Sequence, residues 1–207
     1  MSQYFKVHPV NPQRRLLARA AEIVRNGGLI VYPTDSSYAF GWAIGDKGAL
    51  ERIRRLRQTE RDHDFTLACR DLSEIANYAR VENWAYRLLR ALTPGPYTFI
   101  LKATNEVPKR LQDPKRRSIG IRVPDHVIAR ALLEELGAPL MSSTLLLPGE
   151  TVPLTDPDDI RNRLERLVDA IVDGGACGME PTSVLDLSRG EVDVVREGKG
   201  DISAFAT

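Results

Sequence analysis

Leu29-Ile30-Val31-Tyr32-Pro33-Thr34-Asp35-Ser36-Ser37-Tyr38 decides how the rest of the chain is read. Four apolar, β-prone residues stop at a proline, and hydroxyls and one carboxylate follow. An apolar run of that length without alternation is a strand buried on both faces. Such strands belong to sheets covered by helices, where ligands sit in a crevice beyond the strand ends. The polar end therefore reads as one wall of a crevice. The same residues also suit an ordinary turn tied by side-chain oxygens.

Working outward, Asn11-Pro12 reads as an N-cap with proline at the first helical position. Leu16, Leu17, Ala20, Ile23 and Val24 recur at helical spacing until Gly27-Gly28. Downstream, helices are predicted over 46–57, 72–78 and 83–92, and from Pro124 to Gly137. A further helix is capped by Thr155 or Asp156, with Ile160, Leu164 and Leu167 on one face. Strands are predicted over 65–69, 97–102, 119–123, within 139–147, and over 168–172, 183–187 and 192–195. Strands and helices interleave throughout, which predicts one α/β domain over 1–207 with helices against a mixed sheet. The tail after Gly200 is expected to be poorly ordered.

Composition narrows the function classes. The net charge is +1, so attraction to phosphate must come from local clusters rather than the chain as a whole. No apolar run reaches membrane-spanning length, and the first residues lack the order of a signal peptide. With two distant cysteines, Cys69 and Cys177, free thiols in the cytoplasm are expected. Three scattered histidines give no expected metal site.

Three further stretches carry chemistry. Arg52, Arg54, Arg55, Arg57 and Arg61 share a segment whose Leu50, Ile53 and Leu56 face inward. Their planar forks suit phosphate oxygens, although a solvated helix face with Glu51 and Glu60 as partners is the readier account of the cluster taken alone. In Lys115-Arg116-Arg117-Ser118-Ile119-Gly120-Ile121-Arg122-Val123-Pro124 a strand delivers Arg122 to its carboxyl end, where an anionic ligand or an internal carboxylate would meet it. Ser142-Ser143-Thr144 places three hydroxyls inside an apolar run, and buried hydroxyls need partners.

In order, these stretches resemble the YrdC-like family of threonylcarbamoyl-adenylate synthases. The family's P-T-D-T-x-Y-G-L stands as Pro33-Thr34-Asp35-Ser36-Ser37-Tyr38-Ala39-Phe40, and its K-x-R as Arg55-Leu56-Arg57. Its T-P-G-P-x-T is intact at Thr93–Thr98, and Ile121-Arg122-Val123-Pro124 matches its arginine before V-P. Thr182-Ser183-Val184-Leu185-Asp186 and Arg196-Glu197-Gly198 match its last two patterns. Departures lie at Thr144-Leu145-Leu146, where the family has S-x-N, and at Asp64 to Cys69, where it has N-P-L-x-V-H. These departures are most similar to the YciO branch.

The resemblance implies a twisted sheet with a concave basic groove. It implies a reaction of L-threonine, bicarbonate and ATP, with Mg²⁺, that yields threonylcarbamoyl-AMP and pyrophosphate for transfer RNA modification. On the matching positions, Ser36, Arg122 and Thr182 would hold threonine. Arg55, Arg57, Ser118, Thr144 and Arg196 would line the nucleotide, with Arg55 and Arg57 catalytic. A binding role remains the alternative: Lys115, Arg116 and Arg117, with Lys109 and the helix arginines, would hold double-stranded RNA or transfer RNA around one cavity.

Overall fold

The computed structural model describes residues 2–58 and 65–205. Its strands are β1 (Gln3–Lys6), β2 (Ile30–Pro33), β3 (Tyr38–Ala43), β4 (Thr66–Ala68), β5 (Tyr97–Lys102), β6 (Ser118–Arg122), β7 (Leu140–Thr144), β8 (Ala170–Asp173), β9 (Ser183–Asp186) and β10 (Asp193–Arg196). Its helices are α1 (Arg14–Arg25), α2 (Lys47–Arg57), α3 (Leu72–Tyr78), α4 (Asn83–Leu92), α5 (Val127–Leu136) and α6 (Pro157–Leu164). The strands form one mixed sheet in the order β1-β8-β2-β3-β7-β4-β6-β5-β9-β10.

The two sheet faces are covered unequally, and this makes the site. On one face, α2, α3, α4 and α6 pack Leu50, Ile53, Ile75, Leu89 and Ile160 against Phe40, Trp42, Leu67, Phe99 and Ile121. On the other, α1 and α5 bring Leu17, Ala21, Val24, Ile128 and Leu132 onto Ile30, Tyr32, Ala39, Leu140 and Val172. That second layer ends near β7 and β4. The remaining face therefore continues as Ser142, Thr66, Gly120 and Ile100, cross-strand neighbours in one row. Side chains alternate along a strand, so the small and hydroxyl residues Ser142, Thr66 and Gly120 in this row leave a hollow where the helices stop.

Several elements differ from the sequence expectation. β3 was not expected, because Tyr38-Ala39-Phe40-Gly41-Trp42-Ala43 has no polar alternation. It alternates in size instead. Tyr38, Phe40 and Trp42 enter the helix-covered core, whereas a Cβ at Gly41 would lie 2.6 Å from Leu140 Cδ2. β1 was also missed; it is a short edge strand parallel to β8. α1 starts at Arg14, not Pro12, because His8 Nδ1 accepts from the Val10 and Asn11 amides and holds residues 9–11 in a bend. α5 starts at Val127 rather than Pro124, with His126 at its N-cap position. α6 ends at Leu164, which leaves Leu167 exposed. The tail is packed through residue 205: Tyr97 Oη donates to the Asp201 carbonyl at 3.1 Å, and Ile202 and Phe205 lie against the core.

Candidate functional site

The hollow is a cavity of about 640 Å³ over the uncovered sheet face. Its floor comes from Ala39, Thr66, Thr98, Ile100, Ser118, Gly120, Ser142 and Thr144. Arg57, Arg122 and Arg196 enter from the end of α2, the end of β6 and the end of β10. No carboxylate is among the described lining residues. Three guanidinium groups without a lining acid, among many hydroxyls, favour a ligand rich in anionic oxygens.

The β2–β3 hairpin loop supplies the inner wall. Thr34 Oγ1 accepts from the Ser36 and Ser37 amides at 3.2 Å and donates to the Ser37 carbonyl at 2.6 Å. This side-chain-tied turn, expected from the sequence, presents the Ser36 hydroxyl to Arg122, whose Nη1 donates to Ser36 Oγ at 3.2 Å. Arg122 Nη2 donates to Asp35 Oδ1, and both side chains are more than nine-tenths buried. The Arg122 guanidinium therefore has a fixed plane, and bonds from Nη1 and Nη2 leave further N–H donors. Lys199, which the sequence reading did not single out, donates from Nζ to the Asp35 carbonyl. It ties the C-terminal segment to this turn.

On the opposite wall, Arg196 Nε and Nη2 donate to the Thr182 carbonyl at 3.0 and 2.8 Å. The Thr182 and Thr98 hydroxyls share a 2.9 Å hydrogen bond. Arg57 is anchored on β7 and the turn after it: its Nη1 donates to Ser143 Oγ and its Nε to the Leu146 carbonyl at 3.2 Å. Burial pulls the pKa of Arg57 and of Arg196 down from the usual arginine range. An arginine stays protonated at neutral pH even so, because its reference value is far above it.

The structure thus brings Ser36, Arg57, Ser118, Arg122, Thr144, Thr182 and Arg196 to one cavity. It does not bring Arg55 there. Arg55 is exposed, and its Nε faces the Glu51 carbonyl at 3.4 Å along its own helix. Arg52 is committed to Asp169 at 2.6 Å. The two basic clusters do not surround one cavity, because Arg116 and Arg117 line a second hollow on the far side of Ser118. Arg61 and Asp64 lie outside the described residues. Leu146, at the family's asparagine position, is half-buried and lines the cavity, while Leu145 is the core residue. Cys69 and Cys177 are free. Burial raises both thiols, Cys177 to about 11, so neither has thiolate character at neutral pH. No described helix is long and apolar enough to cross a membrane.

A mixed sheet with one half-covered face and an arginine- and hydroxyl-lined hollow defines an α/β protein with a cationic crevice. The comparisons specify which. The profile of the Sua5, YciO and YrdC proteins, described as telomere recombination, matches residues 22–198, and the chain belongs to this family. It is 56% identical to the uncharacterised protein YciO of Escherichia coli (strain K12), over 99% of this chain and 100% of that one. The crystal structure of E. coli YciO superposes with a TM-score of 0.95 over the whole of both chains. A threonylcarbamoyl-AMP synthase of Stenotrophomonas maltophilia is 29% identical over 85% of this chain and 96% of its own. Sua5 of P. abyssi, solved with L-threonine, shares the fold at a TM-score of 0.87 and 22% identity, over 95% of this chain and 58% of that one.

Proposed function

We propose that the central cavity binds ATP and L-threonine and, with bicarbonate, forms threonylcarbamoyl-AMP and pyrophosphate in the cytoplasm. The observation that carries this reading is the convergence of Arg57, Arg122 and Arg196 on a hydroxyl-lined hollow without a lining carboxylate. Bicarbonate, the carbamate, the threonine carboxylate and the phosphates are all anionic, so a site for them needs fixed positive charge. The 29% identity to a protein named threonylcarbamoyl-AMP synthase supports the same assignment.

In this reading the free donors of Arg122, with Ser36 and Thr182, hold the threonine carboxylate and hydroxyl. The neutral threonine amine bonds to the carbon of bicarbonate, a carbon–oxygen bond breaks with loss of water, and the carbamate anion results. A carbamate oxygen then attacks the α-phosphorus of ATP, and the bond to pyrophosphate breaks with its electron pair. Arg57 and Arg196, with Ser118 and Thr144, neutralise the phosphate oxygens as that charge moves. Arg55 reaches this chemistry only if it swings from the helix surface. The described lining offers hydroxyls but no carboxylate for Mg²⁺, so the nucleotide's own phosphate oxygens would hold that ion and it would supply further positive charge there.

The test is incubation with ATP, Mg²⁺, bicarbonate and labelled L-threonine, followed by detection of pyrophosphate and the carbamoyl adenylate. Arg57→Ala should weaken ATP binding by about 1.5–3 kcal/mol, the scale of a charge-assisted hydrogen bond. Absence of ATP binding in calorimetry removes the nucleotide assignment; ATP binding without threonine dependence removes the substrate.

A further inference from the structure

A second hollow, of about 720 Å³, lies at the outer end of β5 and β6. It is built by the excursion between these strands, residues 103–117, whose ends meet where the Ala103 amide donates to the Arg117 carbonyl at 2.8 Å. Internal bonds fix the loop: Gln112 Nε2 donates to the Val107 carbonyl at 2.7 Å, and the Arg117 amide to the Asp113 carbonyl at 2.9 Å. Compact loops with closed ends, packed by their own groups, are frequent carriers of function. A short 3-10 helix, Lys109–Leu111, lies inside it.

Five cations line this hollow: Arg80 from the segment after α3, Lys102 from the end of β5, and Lys109, Arg116 and Arg117 from the loop. Asp113 is the one carboxylate among the described lining residues, and its Oδ1 accepts from the Lys115 and Arg116 amides. Among the described residues only Arg116 of the five has an ion pair, to Asp186 at 3.1 Å. Arg117 is held at φ 54°, a left-handed conformation that glycine or asparagine would adopt more readily, yet the residue there is an arginine. Residues 102–117 with Arg80 carry seven lysines and arginines against two carboxylates, in a chain of net charge +1. The remainder of the protein is therefore net negative.

We propose that this hollow is a second anion site, separate from the central cavity, and that it takes a compact oligophosphate group such as a di- or triphosphate. Arginine forks and lysine ammonium groups converging from separate segments match clustered phosphate oxygens. The net-negative remainder opposes a long polyanion tracking over the surface, so the favoured ligand fits within the hollow. Thr98 and Ile100 of β5 line the central cavity and Lys102 of the same strand the second, so β5 contributes to both hollows.

The test is calorimetric titration of the full chain with tripolyphosphate at low ionic strength. A saturable event should lose about tenfold in affinity in Lys102→Gln/Lys109→Gln, persist in Lys102→Arg/Lys109→Arg, and be unmoved by Arg57→Ala. If the central cavity also takes the probe, a second event appears, and Arg57→Ala weakens that one alone. Failure of the central assignment would leave one event that the Gln pair still weakens. No saturable binding, an affinity indifferent to the Gln pair, or loss of the only event in Arg57→Ala overturns the site. Binding of duplex RNA through these residues without binding of tripolyphosphate overturns the compact ligand.

Discussion

Arg122 and Leu146 set opposite ends of the central cavity, and each gives a sharp test. Arg122 sits with Asp35 in an ion pair that is almost wholly buried on both sides. Removing one partner of such a pair leaves an uncompensated charge, so truncation would confuse folding with binding. Arg122→Lys keeps the charge and loses the fork that bonds Asp35 and Ser36 together. It should weaken threonine binding by about 1.5–3 kcal/mol, measured by calorimetry on a sample whose melting curve still shows one cooperative step. Equal affinity in the lysine variant would show that the fork is not used. Leu146 lines the cavity beside Arg57, which donates to its carbonyl. Thr144→Ser with Leu146→Asn keeps the hydroxyl at 144, adds an amide at 146, and should raise the rate of pyrophosphate release if the cavity holds the nucleotide as proposed. Because Leu145, not Leu146, fills the core, the new amide meets the cavity, and the melting temperature should change little. A folded double variant with no gain moves the limiting defect elsewhere.

The strands decide how far the sequence could be read. Ile30–Pro33 was legible because an apolar run ending in Pro-Thr-Asp-Ser has few other readings. Arg122 was legible as a charge that a strand delivers to its end. β3 was not, because its alternation is of volume within apolar residues, visible only once α2 and Leu140 are seen on its two sides. The cavity floor was hidden for a related reason. Thr66, Gly120 and Ser142 are neighbours only through parallel β4–β6 and antiparallel β4–β7 pairing, which joins residues far apart in the chain. The separation of Arg116 and Arg117 from Arg57 follows from the same sheet, since Ser118 faces one hollow and Arg117 the other. At β10 the close approach of the chain explains Gly198, the last residue of Arg196-Glu197-Gly198. A Cβ there would stand 2.4 Å from the Pro181 carbonyl oxygen and 2.7 Å from that of Thr182. Gly198→Ala should push this segment off Thr182 and so misplace Arg196. ATP affinity should fall although no ligand-facing side chain has changed. A direct binding titration checks this, and wild-type affinity would show that Arg196 is positioned independently of Gly198.

Stability of the whole fold is linked to the site through His126. It is mostly buried at the N-cap position of α5, with Asp35, Asp125, Lys199 and Arg122 as its charged surroundings. Burial pulls its pKa below the usual 6.5 and outweighs the two carboxylates, which act in the opposite sense. In the unfolded chain the imidazole takes its proton near pH 6.5, whereas the folded protein resists until a lower pH. Unfolding then binds a proton, so this contribution to stability is complete well above pH 6.5 and is lost as the pH falls through the folded pKa. Each tenfold difference in proton affinity between the two states is worth about 1.4 kcal/mol. Glu74 works the other way: burial holds its carboxyl above the usual 4.5, so the folded state gains as that group protonates. Because the two groups act with opposite sign, the imidazole's share is read by comparing the wild type with a His126 variant at about pH 7.5 and 5.5. Urea melts at those two values should show the wild type losing stability on acidification. His126→Gln, an uncharged replacement that cannot titrate, should flatten that dependence. A slope unchanged in the glutamine variant would place the acid sensitivity on another group. A flattened slope would tie the acid limit of the fold to the cluster that fixes Arg122.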